Sequence, residues 1–336
     1  MRVRMNQAVA MAIAEEMRSD PAVVLWGEDI GEAGGVFKAT VGLYEEFGPD
    51  RVRDTPISEM GFLGAAVGAA TVGLRPVVEI MFVEFLGVAV DQLATEGALF
   101  PYLSSGKYPV PLTVRSSVGA GLGFGAQHSQ TLERWFVGTP GLKTVMVSGP
   151  QSAFDLTRAA IRDNSPTLVL EPRALYNNRG EVDTTRPVGR LGEARVVSEG
   201  SDVTVVALGA TVETAIEAAE QTDVSVEVID LQTLWPWDTD RVLSSIGKTG
   251  RLVLVEEGPR GGGWGAHIAA EAATSIFDRL KAPITRVTSP DVPVPFAKPL
   301  ESKFLPDAEE VAAQVTSLVG DGVALDPWWV REEVAR

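Results

Sequence analysis

Short apolar segments alternate with longer, alanine-rich segments along the whole chain, and this alternation predicts strands and helices in turn. The apolar runs are nearly continuous, which is typical of strands in a parallel sheet that is covered on both faces. In the first half, the predicted strands are residues 23–26, 76–82, 110–114, 143–147 and 167–170, and the predicted helices are residues 6–18, 61–73, 84–103 and 151–162.

A second series of strands and helices begins at Val203. Its predicted strands are 203–208, 224–229, 251–255 and 284–287, and its predicted helices are 211–221, 238–246 and 265–280. Strands separated by helices indicate βαβ units and a parallel sheet. The pattern therefore predicts the α/β class, with two three-layer α/β/α sandwiches.

The stretch between the two series is rich in Arg, Asn, Gly and Pro and has little periodicity, which is typical of a linker. We therefore expect a first domain over residues 1–185, a linker over 186–200 and a second domain over 201–336. A length of 336 residues agrees with two domains of ~100–200 residues each.

Composition narrows the possible partners and compartments. The chain has 29 Lys and Arg against 45 Asp and Glu, so 29 − 45 gives a net charge of −16. Such a surface repels phosphate backbones and anionic lipid, so we expect neither nucleic acid nor membrane as a partner. The sequence has no cysteine, which excludes disulfides, thiolate nucleophiles and cysteine-ligated metals. The first residues lack the apolar core of a signal peptide, and we expect a cytoplasmic location.

Two glycine patterns invite a nucleotide-binding interpretation. Residues 121–126 and 261–266 both fit G-x-G-x-x-A after a predicted strand. A dinucleotide site also needs an acidic residue about 20 positions further on, at the end of the next strand. Neither pattern has one there, and Asp291 lies 28 residues beyond Gly263. Tight turns with close backbone approach are therefore favoured over a nicotinamide or flavin site.

Three side chains are candidates for chemistry or for ordinary structural roles. His128 follows a glycine-rich loop at a strand end, where open α/β sheets bind ligands, and both roles are open for it. Glu59 opens an apolar helix of small residues, so it is either a capping acid or a carboxylate made more basic by its surroundings. His267, one helical turn before Glu271, is expected at the surface or in a cap. These residues alone indicate a two-domain α/β enzyme or enzyme subunit.

Several segments, taken in order, resemble one protein family over about residues 3–315. The segments are 27–30, 34–38, 47–52, 54–59, 73–82, 126–130, 140–143 and 227–238. Together they resemble the beta subunit of the thiamine-diphosphate-dependent decarboxylating component of 2-oxo acid dehydrogenase complexes. The resemblance implies a pyrimidine-binding thiamine diphosphate domain followed by a transketolase C-terminal-like domain.

The resemblance also implies a cofactor pocket in the first domain. The glutamate that matches Glu59 hydrogen-bonds the aminopyrimidine ring nitrogen and favours the imino tautomer, which takes the proton from the thiazolium carbon. Phe85 matches the aromatic residue that stacks on the aminopyrimidine. Glu28, Ile57 and Met81 match residues that line the same pocket.

Two further sites follow from the resemblance. His128 matches the histidine that faces the reacting centre, where it stabilises or protonates intermediates and helps acyl transfer to a lipoyl group. Some members hold a structural potassium ion with backbone carbonyls. These would be the carbonyls of Leu112, Thr113, Ala160 and Asp163.

The half of the site that binds diphosphate and magnesium is expected on another chain. In the family this half is a G-D-G motif followed by asparagines. The only such triplet in this sequence is Gly320–Gly322. It lies 14 residues from the C-terminus, and no asparagine follows it. The resemblance therefore implies an alpha subunit that shares the cofactor in an α2β2 heterotetramer. It also implies a lipoyl-bearing acyltransferase core, whose basic subunit-binding domain docks on the acidic C-terminal half.

The substrate stays open at this point. Residues 34–38 favour branched-chain and acetoin relatives, whereas residues 81–87 favour acetoin and pyruvate relatives. The leading hypothesis is oxidative decarboxylation of a 2-oxo acid with reductive acylation of lipoyl groups. The alternatives are acetoin cleavage, a stand-alone transketolase-like enzyme and a non-catalytic scaffold subunit. Three regions depart from the family: residues 95–102 with Pro101, His267 in place of a glutamate, and residues 322–336 beyond the usual end.

Overall fold

The computed structural model describes residues 1–334, with side chains described through Arg331, and the chain divides into two compact units. The first unit comprises residues 1–119, 135–191 and 233–236. The second comprises residues 120–134, 192–232 and the chain from Trp237 onward. Two short segments therefore change unit along the chain. Residues 120–134 follow first-unit residues but belong to the second unit, and residues 233–236 follow second-unit residues but belong to the first unit.

The strands are β1 Arg2–Arg4, β2 Val23–Gly27, β3 Val52–Asp54, β4 Arg75–Ile80, β5 Thr113–Val118, β6 Lys143–Met146, β7 Thr167–Pro172, β8 Arg179–Glu181, β9 Arg195–Ser198, β10 Val203–Ala207, β11 Val226–Asp230, β12 Thr233–Trp235, β13 Leu252–Pro259 and β14 Thr285–Ser289. The α-helices are α1 Met5–Ser19, α2 Leu43–Phe47, α3 Glu59–Thr71, α4 Leu86–Val90, α5 Ala98–Leu103, α6 Arg134–Val137, α7 Pro150–Arg162, α8 Thr211–Glu220, α9 Thr239–Thr249, α10 Trp264–Ser275, α11 Lys298–Glu301, α12 Ala308–Gly320 and α13 Trp328–Val334.

The first unit is built on a seven-stranded sheet in the order β12-β6-β7-β5-β4-β2-β3. All neighbours in it are parallel except β12, which pairs antiparallel with β6 at one edge. The central strands β4, β5 and β7 are almost completely buried, and β5 buries Arg115 and two serines as well as apolar residues. Outside this sheet, β1 and β8 form an antiparallel pair.

Helices α1 and α7 of the first unit are joined by a buried ion-pair cluster. Glu16 on α1 accepts a hydrogen bond from Arg158 and another from Arg162 on α7, each at 2.7 Å. Because Glu16 is buried, both guanidinium groups are needed to compensate its lost hydration. The cluster fixes the two helices on the sheet.

The second unit is built on a five-stranded sheet in the order β14-β13-β10-β11-β9. Strands β14, β13, β10 and β11 are parallel, and β9 adds an antiparallel edge. Helices α8 and α12 cover the apolar side chains of this sheet, among them Val205, Val228 and Val253. Strand β9 lies inside the stretch 186–200 that the sequence predicts as linker.

Two predicted elements differ from the structure in informative ways. The strand predicted at 110–114 is β5, which begins at Thr113 and extends to Val118. Residues 110–112 do not join the strand, and Pro109 and Pro111 on either side of Val110 have no N–H to donate. The strand continues past its last predicted residue because the charge of Arg115 is neutralised inside the sheet, as described below.

The predicted long helix 84–103 is helical throughout but not uniform. A 3₁₀ turn at Val83–Phe85 leads into α4, a π-helical segment follows at Asp91–Gly97, and α5 completes the run. Pro101 lies inside α5 and cannot donate to the carbonyl of Gly97, where the π segment ends. The helix continues through Pro101 to Leu103, so the proline does not end it.

Within the described residues, no helix combines the length and the apolar character that crossing a membrane requires.

Candidate functional site

Two predicted pocket residues, Glu28 and Met81, lie at the carboxyl edge of the first sheet. Strands β3, β2 and β4 are parallel neighbours that pair at Gly27–Asp54 and at Gly27–Glu79. Glu28 follows the end of β2, and Met81 follows the end of β4. Carboxyl ends of parallel strands are the ligand-binding edge of open α/β sheets, so this edge is the first candidate site.

Glu28 and Glu59 form a pair of interacting carboxylates at this edge. Glu28 is buried, and its Oε1 has no hydrogen-bond partner within the part of the chain that the structure describes. Burial raises the pKa of Glu28, and the nearby negative charge of Glu59 raises it further. Glu59 is half-buried at the start of α3, where Ser58 provides no side-chain cap. A protonated Glu28 can offer its proton to a polar group at the edge.

Apolar and aromatic side chains accompany the two carboxylates. Ile57, just before α3, is 85% exposed, a large apolar surface left open to a partner or ligand. Phe85 is half-buried, and its ring lies edge-on to Phe82 with the ring centroids 5.5 Å apart. Met81 is half-buried, and its carbonyl accepts a hydrogen bond from the hydroxyl of Ser117. These residues can line a pocket for a flat, mostly apolar group.

A buried charge network lies inside the same sheet, and the sequence did not predict it. Arg115 on β5 donates two hydrogen bonds to Glu171 on β7, at 2.7 and 2.8 Å, and one to Glu79 on β4 at 2.8 Å. Tyr176 donates to Glu171 at 2.8 Å. Burial alone would lower the pKa of Arg115, but Glu171 and Glu79 outweigh it and raise that pKa. In the sequence, the network is indicated only by three charged residues within or directly after predicted strands: Glu79, Arg115 and Glu171.

The four carbonyls proposed for potassium lie in the first unit, and hydrogen bonds already use several of them. The carbonyl of Leu112, just before Thr113, accepts a backbone N–H at 2.8 Å, and the carbonyl of Ala160 accepts the N–H of Asp163 at 3.2 Å. The carbonyl of Asp163 accepts from Arg75 at 2.8 Å. Each oxygen keeps a second lone pair, so the set retains the capacity to ligate a monovalent cation.

His128 belongs to the second unit, in a loop that carboxylates hold in place. Glu257 accepts the N–H of Ala120 at 2.7 Å, and Glu301 accepts the N–H groups of Gly121 and Gly123, each at 2.9 Å. His128 is half-buried, and its backbone N–H donates to Gly125 at 3.3 Å. The first glycine pattern thus forms the tight turns that the sequence predicts. The sequence did not predict Glu301, because 180 residues separate it from Gly121.

The second glycine pattern also binds a carboxylate of its own chain. A Cβ at Gly263 or Gly265 would lie only 2.2 or 2.4 Å from the carboxylate of Glu256. Glu256 accepts the N–H of Gly265 at 2.9 Å and pairs with Arg286 at 2.7 Å. The amide groups at the start of α10 are therefore used by Glu256, and the predicted close backbone approach is confirmed.

Two further titratable residues of the second unit, His267 and Glu133, have surroundings that fit structural roles. His267 is exposed and meets the ring of Trp237 edge-on at 6.1 Å, which fits the expected surface position. Glu133 is buried, and burial, with the charges of Glu256 and Glu257 adding to it, raises its pKa to about 8. Over the residues that the structure describes, no three His, Cys, Asp or Glu side chains are grouped to hold a metal ion.

Comparison with protein-family models matches both units. Residues 1–179 match the transketolase pyrimidine-binding domain, and residues 192–311 match the transketolase C-terminal domain.

Comparison with curated proteins finds relatives that align over nearly the whole chain. The beta subunit of acetoin:2,6-dichlorophenolindophenol oxidoreductase from Bacillus subtilis is 43% identical over 334 residues, covering 95% of this chain and 98% of the relative. The beta subunit of 2-oxoisovalerate dehydrogenase from the same species is 39% identical, covering 93% and 97%. The mitochondrial pyruvate dehydrogenase E1 beta subunit of Caenorhabditis elegans is 42% identical, covering 92% and 90%.

Among solved structures, a split-gene transketolase described as an inactive beta4 tetramer has a TM-score of 0.78 at 23% identity. It covers 94% of this chain, which covers 98% of that structure. Transketolase from Leishmania mexicana has a TM-score of 0.70 at 16% identity, with 98% of this chain and 48% of that structure covered. These two likenesses describe the fold.

Proposed function

Because the chain belongs to the family of beta subunits of pyruvate, branched-chain 2-oxo acid and acetoin dehydrogenases, we propose that it contributes half of an active site for thiamine-diphosphate-dependent oxidative decarboxylation. In this reaction a 2-oxo acid loses carbon dioxide, and the remaining acyl group is transferred reductively to a lipoyl group. The observation that carries the site assignment is the Glu28–Glu59 pair beside apolar side chains.

The residues at the carboxyl edge of the first sheet fit an aminopyrimidine ring. The ring nitrogen accepts a hydrogen bond and the amino group donates one, so the ring needs a protonated carboxyl group and a separate accepting oxygen. Among the residues that the structure describes, the buried Oε1 of Glu28 has no hydrogen-bond partner. Glu59 would hold the proton shared with the ring nitrogen. Phe85 would stack on the ring, and Ile57 and Met81 would exclude water from it.

When bound, thiamine diphosphate would supply a carbon nucleophile for the oxo carbon. Glu59 supports this chemistry by exchanging a proton with the ring nitrogen, which a carboxylate in partly apolar surroundings does well. Burial and the nearby charge of Glu59 both raise the pKa of Glu28, because a second negative charge close to Glu59 is unfavourable. His128 would donate or accept the proton at the reacting oxygen and assist transfer to the lipoyl group.

An alpha subunit would supply the diphosphate and magnesium site in an α2β2 tetramer. The motif that holds both groups has no match in this chain except Gly320–Gly322, which no asparagine follows. A basic subunit-binding domain of a lipoyl-bearing acyltransferase would dock on the acidic second half, in line with the net charge of −16. The proposal includes the cytoplasmic location and a potassium ion at the carbonyls of Leu112, Thr113, Ala160 and Asp163.

Acetoin cleavage is the second candidate reaction. Sequence identity to acetoin oxidoreductase subunits is as high as identity to the 2-oxo acid dehydrogenase subunits, so it favours both reactions equally. Two acetoin oxidoreductase beta subunits, from Bacillus subtilis and Cupriavidus necator, are 43% and 42% identical to this chain. Acetoin would use the same cofactor nucleophile without decarboxylation. Both reactions need Glu59, so the first domain does not distinguish them.

One reconstitution tests the proposal and selects the substrate. The purified chain is mixed with its alpha partner, thiamine diphosphate and magnesium, and reduction of 2,6-dichlorophenolindophenol is followed with pyruvate, branched-chain 2-oxo acids and acetoin. We expect dye reduction with at least one substrate, and only with both chains present. Full activity from this chain alone would refute the split site, and no activity with any of the three would refute the substrate class.

A further inference from the structure

The loop that carries His128 is held in shape by a carboxylate far away in the sequence. Residues 119–133 connect β5 to α6 and lie outside helices and strands. Four of them, Gly119, Gly121, Gly123 and Gly125, have positive φ angles of 97°, 96°, 74° and 69°. Glycine permits this conformation but does not select it, since glycine has the largest conformational freedom in the unfolded chain. Something outside the loop must therefore select its shape.

The carboxylate of Glu301 makes that selection. Glu301 lies at the end of α11 and is 2% exposed. Its Oε1 accepts the N–H of Gly121 at 2.9 Å, and its Oε2 accepts the N–H of Gly123 at 2.9 Å. Backbone N–H groups that converge on one anion form a compact binding site, and hydrogen bonds to a charged acceptor are the stronger kind.

A second contact and a small apolar cluster fix the base of the same loop. Glu257 accepts the N–H of Ala120 at 2.7 Å. Ala120 packs in a buried cluster with Val294 and Phe304. With its start held in this way, the loop reaches the Gly125–His128 turn, where the His128 N–H donates to the carbonyl of Gly125. Glu301 thus acts midway between the fixed base and the histidine.

We propose that Glu301 is a positioning residue for His128, holding the glycine loop so that the imidazole stays in its working orientation. This inference rests on the proposed role of His128 and assigns no chemical step to Glu301. Its physical basis is that the Glu301 carboxylate binds two alternate amides, which removes the freedom that four glycines would otherwise give the loop.

The kinetic test is a double-mutant cycle in the reconstituted complex with a lipoyl acceptor. We expect Glu301→Gln to lower kcat by about tenfold to a hundredfold, since displacement of a catalytic group by about 1 Å has effects of that size. We expect the double variant Glu301→Gln, His128→Asn to be no slower than His128→Asn alone, because no histidine remains to be positioned. Where His128→Asn is itself slower than the unmodified chain, multiplying effects of the two substitutions, or full activity of Glu301→Gln, would overturn the proposal.

A second readout does not depend on activity. The chain has two histidines, His128 and His267, so imidazole ¹³C labelling gives two signals, and His267→Asn assigns them. In the complex containing labelled Glu301→Gln chain, we expect the His128 signal to shift or broaden and the His267 signal to stay. Glu309→Gln, an exposed acid on α12, is the control and should move neither. An unchanged His128 signal in Glu301→Gln would overturn the proposal.

A substitution within the loop itself tests the proposal even if the Glu301→Gln chain fails to fold. Gly123→Ala disfavours the positive φ, yet its added Cβ would meet nothing within 4 Å. Gly322→Ala places the same strain at φ 69°, also with nothing within 4 Å, elsewhere in the second unit. We expect the first to move the His128 signal and the second to leave it unchanged; equal behaviour would contradict the proposal.

If His128→Asn retains full activity while the signals move as expected, the catalytic role of His128 fails and the positioning by Glu301 stands.

Discussion

Two carboxylate sites of this chain, one in each unit, differ in whether their oxygens are paired. In the second unit, Glu256 and Glu301 have backbone amides or a guanidinium on their oxygens, as in a completed structural contact. In the first unit, Glu28 is buried near a second carboxylate, Glu59, and one of its oxygens has no hydrogen-bond partner among the residues that the structure describes. Buried polar groups are normally paired, so an unpaired one marks a place where a ligand completes the set.

The comparison teaches how to interpret glycine-rich segments as well. Both patterns that resemble nucleotide loops in sequence are used by carboxylates of the chain itself, Glu301 and Glu256. The proposed ligand edge lies instead at strand ends where the sequence shows no glycine fingerprint. A glycine pattern therefore reports backbone conformation first, and only an unpaired partner near it indicates a ligand.

The largest expected effect comes from removing the Glu59 carboxylate. Glu59→Gln keeps the size of the side chain but cannot exchange a proton with the ring nitrogen, so we expect dye reduction in the reconstituted complex to fall by about 10³-fold. Glu45→Gln, an exposed acid on α2 of the same unit, is the matched control and should retain full activity. Loss of less than about tenfold in Glu59→Gln would remove Glu59 from the proton relay.

The second effect is on stability and concerns a carboxylate whose oxygens are already paired. Glu256→Gln turns one acceptor into an NH₂ group that faces either the Gly265 N–H or Arg286, both donors. We expect the free energy of unfolding to fall by about 1–3 kcal/mol, measured by chemical denaturation. Activity per folded molecule should stay near that of the unmodified chain. A variant that unfolds normally but loses activity would reverse the contrast between the two units.

The third effect separates function from stability at the Glu28 position. Glu28→Gln keeps the volume but cannot hold a proton next to Glu59, so we expect about a tenfold fall in kcat. Stability should be unchanged or higher, because an uncharged amide avoids the burial cost that raises the pKa of Glu28. Thermal unfolding and dye reduction of the same sample measure both. A destabilised variant with normal activity would show that Glu28 is a structural acid.

The fourth effect is the pH dependence of stability caused by Glu133. Burial raises the pKa of Glu133 to about 8 in the folded chain, against an ordinary value of 4.5. The folded state therefore retains a proton that the unfolded chain has released, so this contribution to stability is complete below pH 4.5 and is lost as the pH rises to about 8. We expect Glu133→Gln to gain about 1–3 kcal/mol relative to the unmodified chain between these limits. Parallel stability curves for the two chains would disprove this assignment.

The sequence predicts the fold class because the covered strands leave a clear apolar pattern. Strands β2, β6 and β10 lie within one or two residues of their predicted positions. The pattern fails where charges are buried as pairs: Arg115 ends the predicted apolar run, yet β5 continues because Glu79 and Glu171 neutralise it. Such pairing joins distant positions and leaves no local periodicity.

The site was predictable to a different degree. In the sequence, Glu59 is recognisable as an isolated carboxylate at the start of an unusual apolar helix. Only the family resemblance indicates its role. Its interaction with Glu28 depends on β2 and α3 meeting at one sheet edge. Glu301 could not be found from the sequence, because its contact with the His128 loop spans 180 residues and follows no spacing rule.

The most direct test of the account measures proton exchange rather than turnover. In the reconstituted complex loaded with thiamine diphosphate, exchange of the thiazolium C2 proton with D₂O is followed by acid quench and NMR. We predict that Glu59→Gln slows this exchange by at least about 10²-fold, while Glu256→Gln leaves it unchanged. Equal exchange rates in the unmodified complex and in Glu59→Gln would contradict the claim that Glu59 drives the proton relay.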